Sequence, residues 1–313
     1  MKQNQFVSIN TTKWADFESL CQGKEYPANL PQLYRQICND LALARTRHYS
    51  PALIDKLNEL VRLGQGVLYA GESISFKNIW LVFSSEFPKA LYVCRYYIWL
   101  ALAAFWGLGL IAFSWIQIDP DAIYHFIAPA QLNDIERMYN PAGDIQTEKR
   151  HVDSDVLMFG VYIYNNIGIA FQMFGGGALF CIGALIPLLF NSFYFGAISA
   201  YIVELGYQDS FFSFVITHGS FELTAIIIAG AAGCKIGFHL LNPGKYTRSY
   251  ALKHSGVQVL PLIVGAFVML VIAAFIEAFW SPLDIPSVFK YIVGSIFWAI
   301  VSYKLYTGTR YGA

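Results

Sequence analysis

Residues 162–237 read YIYNNIGIAFQMFGGGALFCIGALIPLLFNSFYFGAISAYIVELGYQDSFFSFVITHGSFELTAIIIAGAAGCKIG, and between Asp155 and Glu204 there is no Asp, Glu, Lys or Arg. Nothing in that interval opposes burial in hydrocarbon, so the stretch belongs inside a membrane. It carries a few polar groups that lipid excludes: Asn165, Asn166, Asn191, His218 and Glu222. These are the candidate functional positions, together with the faces they help to shape.

Composition agrees with that placement. Hydrophobic residues make up 56% of the 313 and charged residues 13%, where a soluble domain carries roughly a quarter charged. The fold class is therefore an all-α, polytopic transmembrane bundle. A net charge of zero gives no basic field for nucleic acid. The five cysteines, Cys21, Cys38, Cys94, Cys181 and Cys234, are odd in number and lack a CxxC, which argues for reduced thiols.

Upstream of the membrane block, residues 1–95 read as a cytosolic helical domain. Leu30, Tyr34, Ile37, Leu41 and Ala44 share one helical stripe, and Ser50-Pro51 opens a second helix. That helix carries Leu53, Leu57, Leu60, Val61, Gly64, Val67 and Leu68 on one face. The pattern predicts a hairpin with polar outer faces. Next, IWLVFSSEFPKALY, with Trp80, Phe83, Phe87 and Lys89, followed by Arg95, fits an interfacial helix. The first residues lack the apolar core of a signal peptide, which predicts a cytoplasmic N-terminus; the Asn10-Thr11-Thr12 sequon is then a chance match.

The transmembrane domain is expected over 96–306, with spans near 97–118, 156–174, 178–203, 221–241, 257–280 and 288–306, and a cytosolic tail at 307–313. Tyr96, Tyr97, Trp99 and Trp115 mark the interfaces of the first span. Gly107, Gly109 and Ala112 imitate a dinucleotide fingerprint, but no strand precedes them. Loop 119–155 is rich in Asp and Glu, whereas the N-terminal region, Lys235 to Lys253 and the C-terminus carry the Lys and Arg. By the positive-inside rule the acidic loop faces outward and both termini face the cytoplasm. A short amphipathic helix is expected around Ile123 to Met138. Three crossings fit 156–241 best, with Gly175, Gly176 and Gly177 as a tight turn; one crossing plus re-entrant segments also satisfies the charge pattern. Gly233 and Gly237, four apart, are expected to let helices pack closely. Pro187 should bend its helix, with Asn191 satisfying the freed carbonyl.

His218 and Glu222, spaced i, i+4, form the sharpest constellation. Three readings stay open: a structural pair with Gly219 allowing close approach, a proton or ion path, and a metal site, for which two ligands are visible where catalytic zinc takes three. HExxH, GxSxG and GxxxxGK[ST] are absent, so no catalytic residue, metal or cofactor is assigned and the protein is not expected to be an enzyme.

The same residues carry a family resemblance. Asn165-Asn166, the Gly-rich turn, LLFN at 188–191, His218-Gly219, Glu222-Leu223 and Gly230 to Gly237 resemble the stage II sporulation protein M family. Upstream, Trp14, LYR at 33–35, the run Asp40 to Arg45, Leu57-Asn58, Leu68-Tyr69 and Phe87 to Ala90 resemble its non-sporulating bacterial branch. The chain departs from the pattern at Asn191-Ser192, where Asn-Gly is usual, and at Arg62 to Gln65, where a His is often seen. The resemblance implies a membrane anchor that assembles cell-wall machinery without catalysing a reaction. It also implies association with a MoxR-type ATPase and other membrane partners. The expectation is an inner-membrane, multi-pass scaffold in contact with the lipid bilayer and with no nucleic-acid partner. The alternative is a permease or channel subunit using the His-Glu pair.

Overall fold

A computed structural model describes residues 2–22, 29–68, 82–142 and 152–311, the side chains of 82–83 and 152–155 excepted. Trp80 of the expected interfacial helix and 143–151 of the acidic loop lie outside the described residues. The chain divides into two compact units, 1–76 and 77–313.

Among its described residues the first unit has three helices where a hairpin of two was expected: α1 (Gln3–Gln22), α2 (Leu30–Thr46) and α3 (Pro51–Leu68). Its core gathers Phe6, Trp14 and Phe17 from α1 with Leu30, Ile37 and Ala44 from α2 and Leu57 and Leu60 from α3. The α2 and α3 residues are those of the sequence stripes. In α1 the buried residues are spaced eight, three and four apart, Phe6, Trp14, Phe17 and Cys21, with polar residues between, so its face is sparse. Trp14 completes the core by donating its indole N–H to Asp40 at 2.9 Å. Gln3 and Ser50 exchange two hydrogen bonds of 2.9 Å that tie the start of α1 to the start of α3.

The first described elements of the second unit are a π-helical turn (Val82–Glu86) and α4 (Phe87–Val93). Although α4 reads with the N-terminal region in sequence, it packs inside this unit, with the Phe87 ring against Gly265 and Leu91 against Gly308. Among the described residues, six helices are long and apolar enough to cross a membrane. They are α5 (Arg95–Ile118), α7 (Val152–Gly176), α8 (Ile182–Glu204), α9 (Gln208–Leu241), α10 (Arg248–Phe275) and α11 (Ser287–Tyr311). Large apolar side chains such as Leu100, Leu110 and Ile111 on α5 and Val288, Ile292 and Ile296 on α11 stand exposed. Apolar surface on this scale suits a lipid-facing bundle and not a water-facing one.

The axis of the bundle is α9, which packs against α5, α7, α8, α10 and α11. It starts at Gln208, well before the expected 221, and at about 1.5 Å per residue its 34 residues span roughly 50 Å. Its first turns therefore reach beyond the hydrocarbon thickness and meet a cap made of a 3-10 turn (Pro120–His125) and α6 (Pro129–Tyr139). Ile123, Ile127 and Leu132 of the cap are buried with Ile116, Ile198, Ile202 and Phe211.

Glycines serve packing more than turning. The connection between α7 and α8 takes its left-handed backbone at Phe180 and Cys181, φ 53° and 72°, and not at the glycine triplet. A Cβ on Gly176 or Gly177 would overlap the backbone of Gly183 or Gly233, and one on Gly233 the Met173 carbonyl. Gly237 likewise lies on the Cys181 backbone, whereas Gly175 has nothing within 4 Å. Lys235, counted with the surface charges in the topology argument, is instead buried in the bundle at 3% exposure. Its ammonium lies 3.5 Å from the Val93 carbonyl.

Candidate functional site

Three elements converge under the cap: the middle of α9, the π-helical turn Ile276–Trp280 that prolongs α10, and the start of α11. Helical spacing puts His218 and Glu222 on one face of α9. The π turn then aims a third group at them. His218, Glu222 and Glu277 each place a ligand-type atom within 4.8 Å of the other two.

The details argue against a simple His-Glu hydrogen bond. His218 Nε2 and Glu222 Oε2 are 3.9 Å apart, beyond hydrogen-bond range. The opposite nitrogen, Nδ1, lies 3.0 Å from Ser281 Oγ, which is itself 3.3 Å from Thr217 Oγ1. Ser281 is held by its own N–H donating to the Ile276 carbonyl at 2.8 Å. The buried ammonium of Lys290 donates to the Ser281 carbonyl at 2.8 Å. Two buried polar atoms beside the cluster, Glu277 Oε2 and Trp280 Nε1, have no hydrogen-bond partner among the described residues.

Aromatic contacts carry the cap down to the imidazole. Tyr139 of α6 meets Phe214 with ring centroids 6.0 Å apart, and Phe214 meets His218 edge-on at 5.4 Å. Burial pushes the Tyr139 phenol above its usual pKa, and the nearby Glu277 carboxylate reinforces the shift. Two ionised carboxylates at 4.8 Å repel by about 3 kcal/mol at an effective dielectric constant near 20. A low-dielectric bundle therefore favours a shared proton or a nearby cation at this point. An imidazole and two carboxylates are the donor set that a proton or a metal cation takes.

The other sequence candidates do not join the cluster. Asn165 donates to its neighbour Asn166 at 3.0 Å on α7. Asn191 donates to the Pro187 carbonyl at 2.8 Å; the carbonyl that a proline leaves without an N–H is that of Gly183, four residues earlier, so Asn191 does not perform the expected repair. No described hydrogen bond links these asparagines to His218 or Glu222. A Cβ on Gly219 would first meet Val215 of the same helix, at 3.2 Å, so close approach of a second helix is not what this glycine provides.

Glu277 is the residue that sequence reading missed. Its signal was available, since it is the sole ionisable residue between Val257 and Trp280, and a carboxylate inside a span marks a functional position by default. Ser281→Ala is expected to lower stability by about 1 kcal/mol, because the buried His218 Nδ1 and Thr217 Oγ1 both lose their contact with the Ser281 hydroxyl. Thermal unfolding in detergent measures it, and a variant as stable as wild type would contradict the contact.

Comparison with known proteins agrees with this architecture. Residues 97–282 match the family described as Stage II sporulation protein M, and residues 4–70 match the domain of unknown function DUF8413. An uncharacterized protein of Methanocaldococcus jannaschii is 28% identical over 126 residues, covering 40% of this chain and 71% of that protein. No solved structure matches. With the family match spanning the first five membrane-length helices and the whole cluster under the cap, the chain belongs to the stage II sporulation protein M family.

Proposed function

We propose that this membrane protein is a scaffold that assembles cell-envelope or cell-wall-remodelling machinery, without catalysing a reaction of its own. It sits in the bacterial inner membrane with both termini cytoplasmic. The observation that carries the reading is the first unit: residues 1–76 close a core of their own around Trp14, Ile37 and Leu57, leaving the polar outer faces of α1–α3 to meet a soluble protein. A MoxR-type ATPase is the partner that the family resemblance suggests for that side. The cap at 120–139 offers a second folded surface for an envelope partner. Photo-crosslinking from exposed positions of α1–α3 in cells that express the neighbouring genes tests this. A reproducible set of membrane-machinery partners supports it, and the absence of any reproducible crosslink contradicts it.

A permease or ion-channel subunit is the second reading, favoured by the buried His218, Glu222 and Glu277. It requires flux into liposomes that Glu222→Gln abolishes while the bundle stays folded. The scaffold reading requires no such flux.

A further inference from the structure

We propose that His218, Glu222 and Glu277 bind one divalent first-row transition-metal ion, of the zinc or manganese class, which fastens the π turn of α10 to α9 beneath the cap. The inference is independent of whether the protein scaffolds partners or conducts a solute.

The geometry is that of ligands around a shared ion. Two ligands on one ion at metal–ligand distances of about 2.0–2.2 Å sit roughly 3–4 Å from each other. The 3.9 Å between His218 Nε2 and Glu222 Oε2 falls in that interval although it is too long for a hydrogen bond. Glu277 lies within 4.8 Å of both, so a contraction of under about 1 Å, within reach of carboxylate rotamers, closes the set around an ion.

The surroundings are also those a metal ligand needs. Metal-binding histidines are oriented by a hydrogen bond at the other ring nitrogen; Ser281 Oγ stands 3.0 Å from Nδ1, and in the tautomer that donates from Nδ1 to this hydroxyl the Nε2 lone pair is free for an ion. Glu277 Oε2 is buried with no hydrogen-bond partner among the described residues, a state that coordination resolves. Charge points the same way: a dication against two carboxylates makes a neutral group, the form that low dielectric tolerates best. Mixed imidazole and carboxylate donors select zinc, manganese, iron or cobalt over the harder calcium and magnesium, which prefer all-oxygen shells. The buried Lys290 ammonium donates to the Ser281 carbonyl at 2.8 Å.

The test uses full-length, tag-free protein in detergent, stripped with chelator, incubated separately with Zn2+, Mn2+ or Co2+ and desalted. About one equivalent of ion by elemental mass spectrometry, with a rise in Tm, is expected for at least one of the three. Glu277→Gln and His218→Gln should each weaken binding at least tenfold while keeping the helix content of wild type. Background metal with an unchanged Tm for all three ions overturns the proposal, and so does undiminished binding by a folded Glu277→Gln. Should the variants fail to fold, the visible spectrum of the Co2+-loaded wild type decides. Intense bands of low-symmetry nitrogen and oxygen coordination support the site, and the weak spectrum of hydrated Co2+ overturns it.

Discussion

Gly237→Leu is expected to abolish the folded bundle. A Cβ at this position would fall on the Cys181 backbone, with Cα and Sγ of Cys181 both 2.7 Å away. Backbone cannot rotate aside as a side chain can. Overpacking into a tight core commonly costs about 1–3 kcal/mol and more where backbone must move, and association of membrane helices has little hydrophobic drive to offset it. The measurement is the monodisperse yield and Tm of the detergent-purified variant beside Gly175→Ala. The latter position has open space around it, so that variant should stay within about 0.5 kcal/mol of wild type or gain slightly from helix propensity. Wild-type behaviour of Gly237→Leu would show that α9 and the α7–α8 turn do not meet as described.

Trp14→Ala is expected to unfold the first unit while leaving the membrane bundle intact. Trp14 is 1% exposed, packs edge-on against Phe6 at 5.6 Å between ring centroids and donates to Asp40, which also pairs with Lys13. Truncating a buried tryptophan costs about 3–5 kcal/mol. A unit this small rarely holds more than about 3–5 kcal/mol in total, so the loss is of the order of the whole. Limited proteolysis of the full-length protein in membranes should release fragments of residues 1–76 and spare the 97–311 region. Protease resistance equal to wild type across the first unit would contradict the expected effect.

The scale of both effects shows which features could be read from sequence and which could not. The membrane character, the six long helices and the α2–α3 faces follow from local pattern: charge-free runs of sufficient length and apolar residues three and four apart. Helix α1 escaped because its anchor residues are few and aromatic, and only the α2–α3 groove shows what they fill. The early start of α9 escaped for a related reason. Residues 208–220 are polar enough to resemble a loop until the cap supplies Tyr139 and Leu132 as neighbours.

Within the candidate site, His218 and Glu222 were visible because they share a helical face. Glu277 joins them across 55 residues of chain, counted from Glu222, through a π turn whose extra residue changes the direction of the helix end. Periodicity counted at 3.6 residues per turn cannot forecast that aim. Asn165, Asn166 and Asn191 illustrate the converse. They are conspicuous in an apolar stretch, yet their described hydrogen bonds are local, to an adjacent side chain and to the helix backbone. The glycine triplet was assigned to a turn by composition, and its carbonyls do accept the hydrogen bonds of the turn that Gly177 opens; what composition did not show is the close helix contact that Gly176 and Gly177 allow.

Convergence of Glu222 and Glu277 inside the bundle is the claim on which the site depends, and a double-mutant cycle measures it directly. Glu222→Gln, Glu277→Gln and the double variant are unfolded thermally in metal-free detergent solution. Carboxylates within 4.8 Å should be coupled by about 1 kcal/mol or more, so the double variant should depart from the sum of the single changes. Additivity within about 0.3 kcal/mol, as expected of distant independent positions, would contradict it.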